Sequence, residues 1–362
     1  MNLRRSLRSD VMVKRRKHIC EEVESIAQEC DLLDLPDVTD WLQTGCTGLD
    51  FAISNRYPGG LPCGRIIQIY GGSSTAKSLF ANTCMGYAQR AGWETYYDDV
   101  ERSIHPDFSS MYGMSMRDPG FHMWHSETIE EMFDDNIGDL VESAEELKKD
   151  GNDVPKRFVV IDSITNLPAK IEQAKGMDEQ GYGAYRAKQI HLGLRTWGRR
   201  MVDNNITLLV IDQTRDNVKS PFQAETTVGG KGLEFLSTVR IYLKHAAKIV
   251  NSKKMAIGTW VNATVVKTRF GPPWRKCQFR IQYDYGLDDI STNLALLALC
   301  QGVTEKETMK LTTKVLFKGE TYTIKKWVSV IEENEWEEDL RKFVWESWQD
   351  LYASDPRKAR QW

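Results

Sequence analysis

Gly71-Gly72-Ser73-Ser74-Thr75-Ala76-Lys77-Ser78 is the stretch from which this chain can be read. It follows a short apolar run, Arg65-Ile66-Ile67-Gln68-Ile69-Tyr70, and leads into Leu79-Phe80-Ala81-Asn82. An apolar run of strand length, a glycine-rich turn and a helix-prone segment predict strand, tight loop and helix. The octet fits G-x-x-x-x-G-K-[ST] except at Ala76, where the pattern has glycine. In that pattern backbone N–H groups wrap nucleotide phosphates. Residues Gly71, Gly72, Ser73, Ser74, Thr75, Ala76, Lys77, Ser78 and Leu79 are therefore the expected nucleotide contacts. Lys77 would reach the β- and γ-phosphates, and the Ser78 hydroxyl would ligate Mg²⁺. The extra Cβ of Ala76 costs little if φ there is negative, and more if it is positive.

A second half to such a site lies downstream. Phe158-Val159-Val160-Ile161-Asp162-Ser163 is an apolar strand ending in an acid. Asp162 is expected at the carboxyl end of a strand neighbouring the loop, holding Mg²⁺ through water. Hydrolysis also needs a carboxylate to activate water. Tyr96-Tyr97-Asp98-Asp99-Val100-Glu101-Arg102 ends another apolar strand and supplies three acids. Periodicity does not choose between Asp98, Asp99 and Glu101.

The 362 residues leave room for a large domain with appendages. Formal net charge is −3, so any nucleic-acid surface must be local. No run of about 18 apolar residues suggests a membrane span. The 7 cysteines form no C-x-x-C pair, which argues against a zinc site or a disulfide framework. Arg4, Arg5, Arg8, Lys14, Arg15, Arg16 and Lys17 face a single acid, Asp10, and an acidic stretch follows from 21 to 40. A basic arm is the preferred reading, and an organellar transit peptide stays open.

The chain divides into a helical arm over 1–38, a core over 39–289 and a small C-terminal domain over 290–362. Strands are expected at Ile66–Tyr70, Thr95–Tyr97, Phe158–Ile161, Thr207–Ile211, Thr238–Leu243, Trp260–Lys267 and Gln278–Tyr283. Helices are expected at Ser78–Ala91, Ile129–Lys149 and Gly183–Asn204. Such alternation implies an α/β fold with a mostly parallel central sheet and later antiparallel strands. The C-terminal tryptophans Trp327, Trp336, Trp345 and Trp348 are expected to pack a small α+β core.

Several motifs in one order resemble the RecA family of DNA strand-exchange recombinases. Thr44-Gly45-Cys46-Thr47-Gly48-Leu49-Asp50 and Gly59-Gly60-Leu61-Pro62-Cys63-Gly64-Arg65-Ile66 precede the phosphate loop. Asp99-Val100-Glu101 with Pro106 is similar to the family's catalytic segment, and Gln213 after Leu208-Leu209-Val210-Ile211-Asp212 to its γ-phosphate sensor. Glu225-Thr226-Thr227-Val228-Gly229-Gly230 with Leu233-Glu234-Phe235 is similar to the close of the second DNA loop. Gly302-Val303-Thr304-Glu305-Lys306-Glu307 with Phe317-Lys318-Gly319-Glu320 resembles the C-terminal domain of the family's bacterial branch. The resemblance covers about 40–345, and Ala76 fits a divergent, phage-like member.

The resemblance implies a DNA-dependent ATPase with a RecA-like P-loop core. It would use ATP and Mg²⁺, form helical filaments on single-stranded DNA and exchange strands with duplex DNA. Glu101 would activate water, Gln213 would sense the γ-phosphate, and Lys267 and Arg269 would reach the neighbour's ATP. Phe108 would stack on adenine, with Tyr283 on its other face. DNA contacts would come from Lys175 and Met177 in a first loop, from Arg186, and from Arg215, Asn217, Lys219, Phe222, Gly229, Gly230 and Lys231 in or beside a second. The implied location is the cytoplasm of a bacterial or phage-infected cell. A RecA-core motor such as a ring helicase, and a non-catalytic paralogue, are the alternatives. The basic tip Arg357-Lys358-Ala359-Arg360 is expected to restrain duplex binding less than an acidic tail would.

Overall fold

Alternation along the apolar strands explains the central sheet. In Ile66–Gly71, Ile67 and Ile69 join one hydrophobic cluster and Ile66 the other. In Arg157–Asp162, Phe158 and Val160 face the first cluster, and Val159 and Ile161 the second. Strands apolar on both faces need helices on both sides, and this favours parallel pairing.

The computed structural model describes residues 38–175, 182–216, 225–227 and 230–352, and Val38–Leu351 form one compact unit. The arm over 1–38 lies almost wholly outside the described residues. The strands are β1 (Trp41–Leu42), β2 (Leu61–Pro62), β3 (Ile66–Gly71), β4 (Glu94–Asp99), β5 (Phe121–Trp124), β6 (Arg157–Asp162) and β7 (Ile206–Asp216). They continue as β8 (Glu225–Thr227), β9 (Val239–Val250), β10 (Ala256–Lys267), β11 (Arg275–Gln282), β12 (Gly286–Asp288), β13 (Lys314–Phe317) and β14 (Glu320–Thr323). The large sheet has the order β12-β11-β10-β9-β3-β7-β6-β4-β5, with β8 paired to β7. From β9 to β5 the pairs are parallel, and from β9 to β12 they are antiparallel.

The helices Thr47–Ser54, Lys77–Arg90 and Asp289–Cys300 pack on one face. On the other, Tyr182–Asp203 packs beside the segment after Thr128. That segment was expected as one helix, but opens as a π-helix over Glu131–Ile137 before Gly138–Lys149. The expected boundary at 289/290 falls inside continuous structure. Asp288 caps the helix Asp289–Cys300 by accepting from the Ser291 N–H at 2.9 Å. The buried Trp327 and Trp348 belong to the same cluster as Leu49 and Phe80, and Trp336 and Trp345 pack against it. Among the described residues no helix is long and apolar enough to cross a membrane.

Candidate nucleotide site

β3 delivers the chain into the loop at Gly71, where a Cβ would lie 2.2 Å from the Leu243 carbonyl oxygen. That approach requires glycine. Ser74 and Ala76 then adopt φ of 59° and 68°. Left-handed residues in such a turn direct successive N–H groups into one concavity, a ready anion site. The Lys77 side chain is buried, and its Nζ donates to the carbonyl oxygens of Gly71 at 3.0 Å and Gly72 at 2.7 Å. Burial holds its pKa below the usual lysine range, against the opposing pull of Asp162, Glu101 and Asp212. These carbonyls are acceptors that phosphate oxygens can replace.

Ala76 therefore takes the costlier of the two conformations open to it on sequence grounds. A non-glycine residue there costs about 1–2 kcal/mol, part of which glycine would give back through greater chain entropy in the unfolded state. Ala76→Gly should stabilise the chain by about 1 kcal/mol, raising the melting temperature by roughly 2 °C in calorimetry. A lower melting temperature would show that packing of the methyl outweighs the backbone cost.

Asp162 ends β6, buried, and accepts a hydrogen bond from the Tyr97 hydroxyl at 2.8 Å, with Ser78 close enough to act on its charge. Burial pushes its pKa up, Ser78 and Tyr97 pull it down, and Glu101 and Asp99 push it further up. β6 is not paired with β3, because β7 lies between them, yet its end still brings Asp162 to the loop beside Ser78. A crossover that skips one place leaves a crevice at the sheet's carboxyl edge, and Ser78 and Asp162 meet across it. Among the described residues no three His, Cys, Asp or Glu side chains cluster as metal ligands. One carboxylate and one hydroxyl suit Mg²⁺, which keeps several waters and takes phosphate oxygens. The residues present therefore fit that ion.

The three acids left open by the sequence separate cleanly. Asp98 is buried and accepts from the Ser126 N–H at 2.9 Å and its hydroxyl at 2.5 Å. Asp99 accepts from the N–H groups of Ser103 and Ile104, both at 3.0 Å, and so shapes the turn. Glu101 alone is exposed on the loop side. Its Oε1 accepts from the Ser163 hydroxyl at 2.9 Å, Asn166 Nδ2 at 2.7 Å and Gln213 Nε2 at 3.3 Å. The water-activating candidate and the sensor candidate are thus already in contact.

Gln213 also roots a buried polar chain. Its N–H donates to Asp212 Oδ1 and to Thr165 Oγ1, each at 2.9 Å. Gln68 Nε2 donates to Asp212 Oδ2 at 2.9 Å, and Arg240 Nε donates to Gln68 Oε1 at 2.7 Å. Arg240 then pairs with Glu234 at 2.8 Å. Buried polar groups joined this completely rigidify the strands that carry them. Lys267 Nζ sits on the carbonyl oxygens of Glu234 at 3.0 Å and Phe235 at 2.8 Å. Burial, Arg269 and Arg240 hold the Lys267 pKa down, while Glu234 opposes them.

Lys267 and Arg269 do not share an edge with Lys77. β10 runs antiparallel to β9, and Lys267 stands opposite Arg240, which stands opposite Gln68. The chain then leaves the sheet towards the edge where β3 begins, with Arg269 exposed. Lys77 starts its helix at the edge where β3 ends. Lys267, level with Gln68, lies about 10 Å along the strand from the loop at Gly71, and Arg269 follows it further towards the far edge.

Of the expected DNA contacts, those the structure describes lie side by side: a Cβ on Gly230 would fall 2.8 Å from the Cβ of Ala187, next to Arg186. Arg186 is held in a fork by Glu172, whose hydrogen bonds raise the guanidinium pKa. Lys231 is exposed at the start of the helix Gly230–Leu236. Met177, Asn217, Lys219, Phe222 and Gly229, and the side chains of Lys175 and Arg215, lie outside the described residues, as does the side chain of Phe108. Tyr283 is 46% exposed just past β11, on the loop's side of the sheet. Four residues in the site were not singled out from sequence: Gln68, Tyr97, Ser163 and Asn166. Gln68 had a signal, being the one strongly polar residue inside an apolar strand.

The chain matches a family model described as the RecA N-terminal domain over residues 34–288. It is 30% identical over 268 residues to the Protein RecA of Thermus thermophilus, covering 74% of each chain. It is 30% identical over 260 residues to that of Clostridioides difficile, covering 72% of this chain and 70% of the relative. Over 247 residues it is 29% identical to that of Chlamydia trachomatis, covering 68% and 65%.

Proposed function

This chain belongs to the RecA family, and from that premise we propose that it is a DNA-dependent ATPase that assembles on single-stranded DNA and exchanges strands with a homologous duplex. The observation that carries this reading is the split of the site across the sheet. Lys77, Ser78, Asp162 and Glu101 gather at one edge, while Lys267 and Arg269 leave from the other. Two such halves close on one nucleotide only between stacked copies. A head-to-tail contact of that kind repeats from copy to copy, closing into a ring where the rotation closes and, in the reading proposed here, running on as an open filament.

The roles follow from geometry and chemistry. Lys77 and the loop N–H groups bind the phosphates of ATP, and Ser78 and Asp162 would hold Mg²⁺, which would supply charge neutralisation at the phosphates. Glu101 orients and deprotonates the attacking water. Lys267 and Arg269 of the adjacent copy stabilise charge on the transferring phosphoryl group. Gln213 is both within reach of Glu101 and at the root of the second DNA stretch, so it reports the γ-phosphate to DNA. Arg186 and basic residues of 174–181 and 213–231 meet DNA phosphates, and apolar ones insert between bases. Loss of the γ-phosphate contact then lowers affinity for DNA.

The test is phosphate release with and without single-stranded DNA, together with electron microscopy using a non-hydrolysable ATP analogue. Stimulated turnover and helical filaments are expected, and heteroduplex formation should follow when homologous duplex is added. Unstimulated turnover, or rings that translocate without pairing strands, would overturn the reading.

A further inference from the structure

Glu101 is held more tightly than a general base needs. Three donors converge on Oε1: the Ser163 hydroxyl, Asn166 Nδ2 and Gln213 Nε2. A carboxylate oxygen has two lone-pair sites, so three donors oversubscribe it. The shortest of the three bonds, at 2.7 Å, comes from Asn166, an exposed side chain that water could satisfy equally well.

The position of Asn166 gives this bond a direction. Asn166 closes the 3-10 turn Ile164–Asn166, and Leu167 and Ala169, both buried, lead to the helix Lys170–Lys175. Glu172 of that helix is bound by both Arg186 Nε and the rest of its guanidinium fork. Lys170 N–H donates to Glu130 at 2.9 Å, and Gln173 Nε2 to the Glu127 carbonyl oxygen at 3.1 Å. One short path therefore runs from Arg186 through Glu172 and the turn at Asn166 to Glu101. The remaining donor, Gln213, lies on β7 at the start of the other DNA stretch.

We propose that Asn166 is a positioning residue that holds Glu101 away from the attacking water until DNA binds, so that turnover without DNA is kept low. This rests on the function proposed above. A DNA phosphate competes with Glu172 for the Arg186 guanidinium, since both accept the same bidentate fork. Drawing Arg186 away loosens the helix Lys170–Lys175 and the turn before it. Asn166 then releases Oε1, and the carboxylate is free to turn to water.

The experiment measures steady-state phosphate release by the full chain, without DNA and with saturating oligothymidylate, for wild type, Asn166→Ala and Asn166→Asp. Asn166→Ala removes the donor. Asn166→Asp is nearly isosteric but replaces the donor with a like charge, so a purely packing role would leave it silent. Both variants are expected to raise DNA-free turnover about fivefold to tenfold, because a hydrogen bond to a charged group is among the stronger ones. DNA-saturated turnover and the KM for ATP should stay within about twofold of wild type. If both variants leave DNA-free turnover unchanged, or lower it together with the DNA-saturated rate, Asn166 only supports Glu101 and the proposal falls. A wild type that shows no stimulation by DNA would instead overturn the function reading on which this rests.

Discussion

Glu101→Gln should lower DNA-stimulated ATP turnover by about 10²–10⁴-fold, the range general acid–base catalysis supplies. The substitution keeps the length of the side chain and a carbonyl oxygen that can accept from Ser163 and Asn166. What it removes is the base. Glu101 is exposed, so no buried group is left unpaired and folding should be unaffected. Nucleotide binding, measured with a fluorescent analogue, should change by less than about threefold, because Lys77 and the loop carry the phosphates. DNA complexes should also last longer, since the step that releases them is stalled. Turnover within about tenfold of wild type would remove Glu101 from the mechanism.

The neighbouring acids provide the contrast. Asp98 and Asp99 are buried and each accepts two hydrogen bonds that shape local backbone or Ser126. Neutralising either would act through stability. A sequence reading that sees three acids at the end of one strand cannot make this distinction, because alternation says only which face a residue is on. The turn after Asp99 breaks that alternation. It places Glu101 beside residues from two other segments, 163–166 and 213, which only the folded sheet brings together.

Other parts were legible for physical reasons. The loop follows from local chemistry: an apolar strand, glycine at a close approach and a lysine that starts a helix. Asp162 follows from an apolar strand ending in an acid. Strand order was not legible, since nothing local in Arg157–Asp162 reveals that β7 inserts between it and β3. The π-helical opening at Glu131–Ile137 likewise leaves the apolar pattern of the segment nearly unchanged. Gln68 could have been noticed, because a buried strand rarely carries a polar side chain without partners. Its partners, Asp212 and Arg240, lie 144 and 172 residues away in sequence. Asn166 gave no signal, as an exposed asparagine after a strand is ordinary turn chemistry.

The largest effect is expected at the other edge of the sheet. Removing both interface cations, Lys267→Ala with Arg269→Ala, should cut DNA-stimulated turnover by about 10³–10⁵-fold, the contribution of an arginine finger to phosphoryl transfer. Arg269 is exposed, and Lys267 is satisfied by two carbonyl oxygens that water can reach once the ammonium is gone. The variant should therefore fold and bind ATP in its own loop. Lys77→Ala is the mirror image, blind to ATP but able to lend cations to a neighbour. If the two halves of the site come from different copies, mixing these two inactive proteins must restore activity. In a random equal mixture about one interface in four joins an intact loop to intact cations, so roughly a quarter of wild-type turnover should return. A mixture as inactive as its components would mean that Lys267 and Arg269 do not complete a neighbour's site. The split across the sheet would then have no catalytic meaning, and the filament reading would lose its main support.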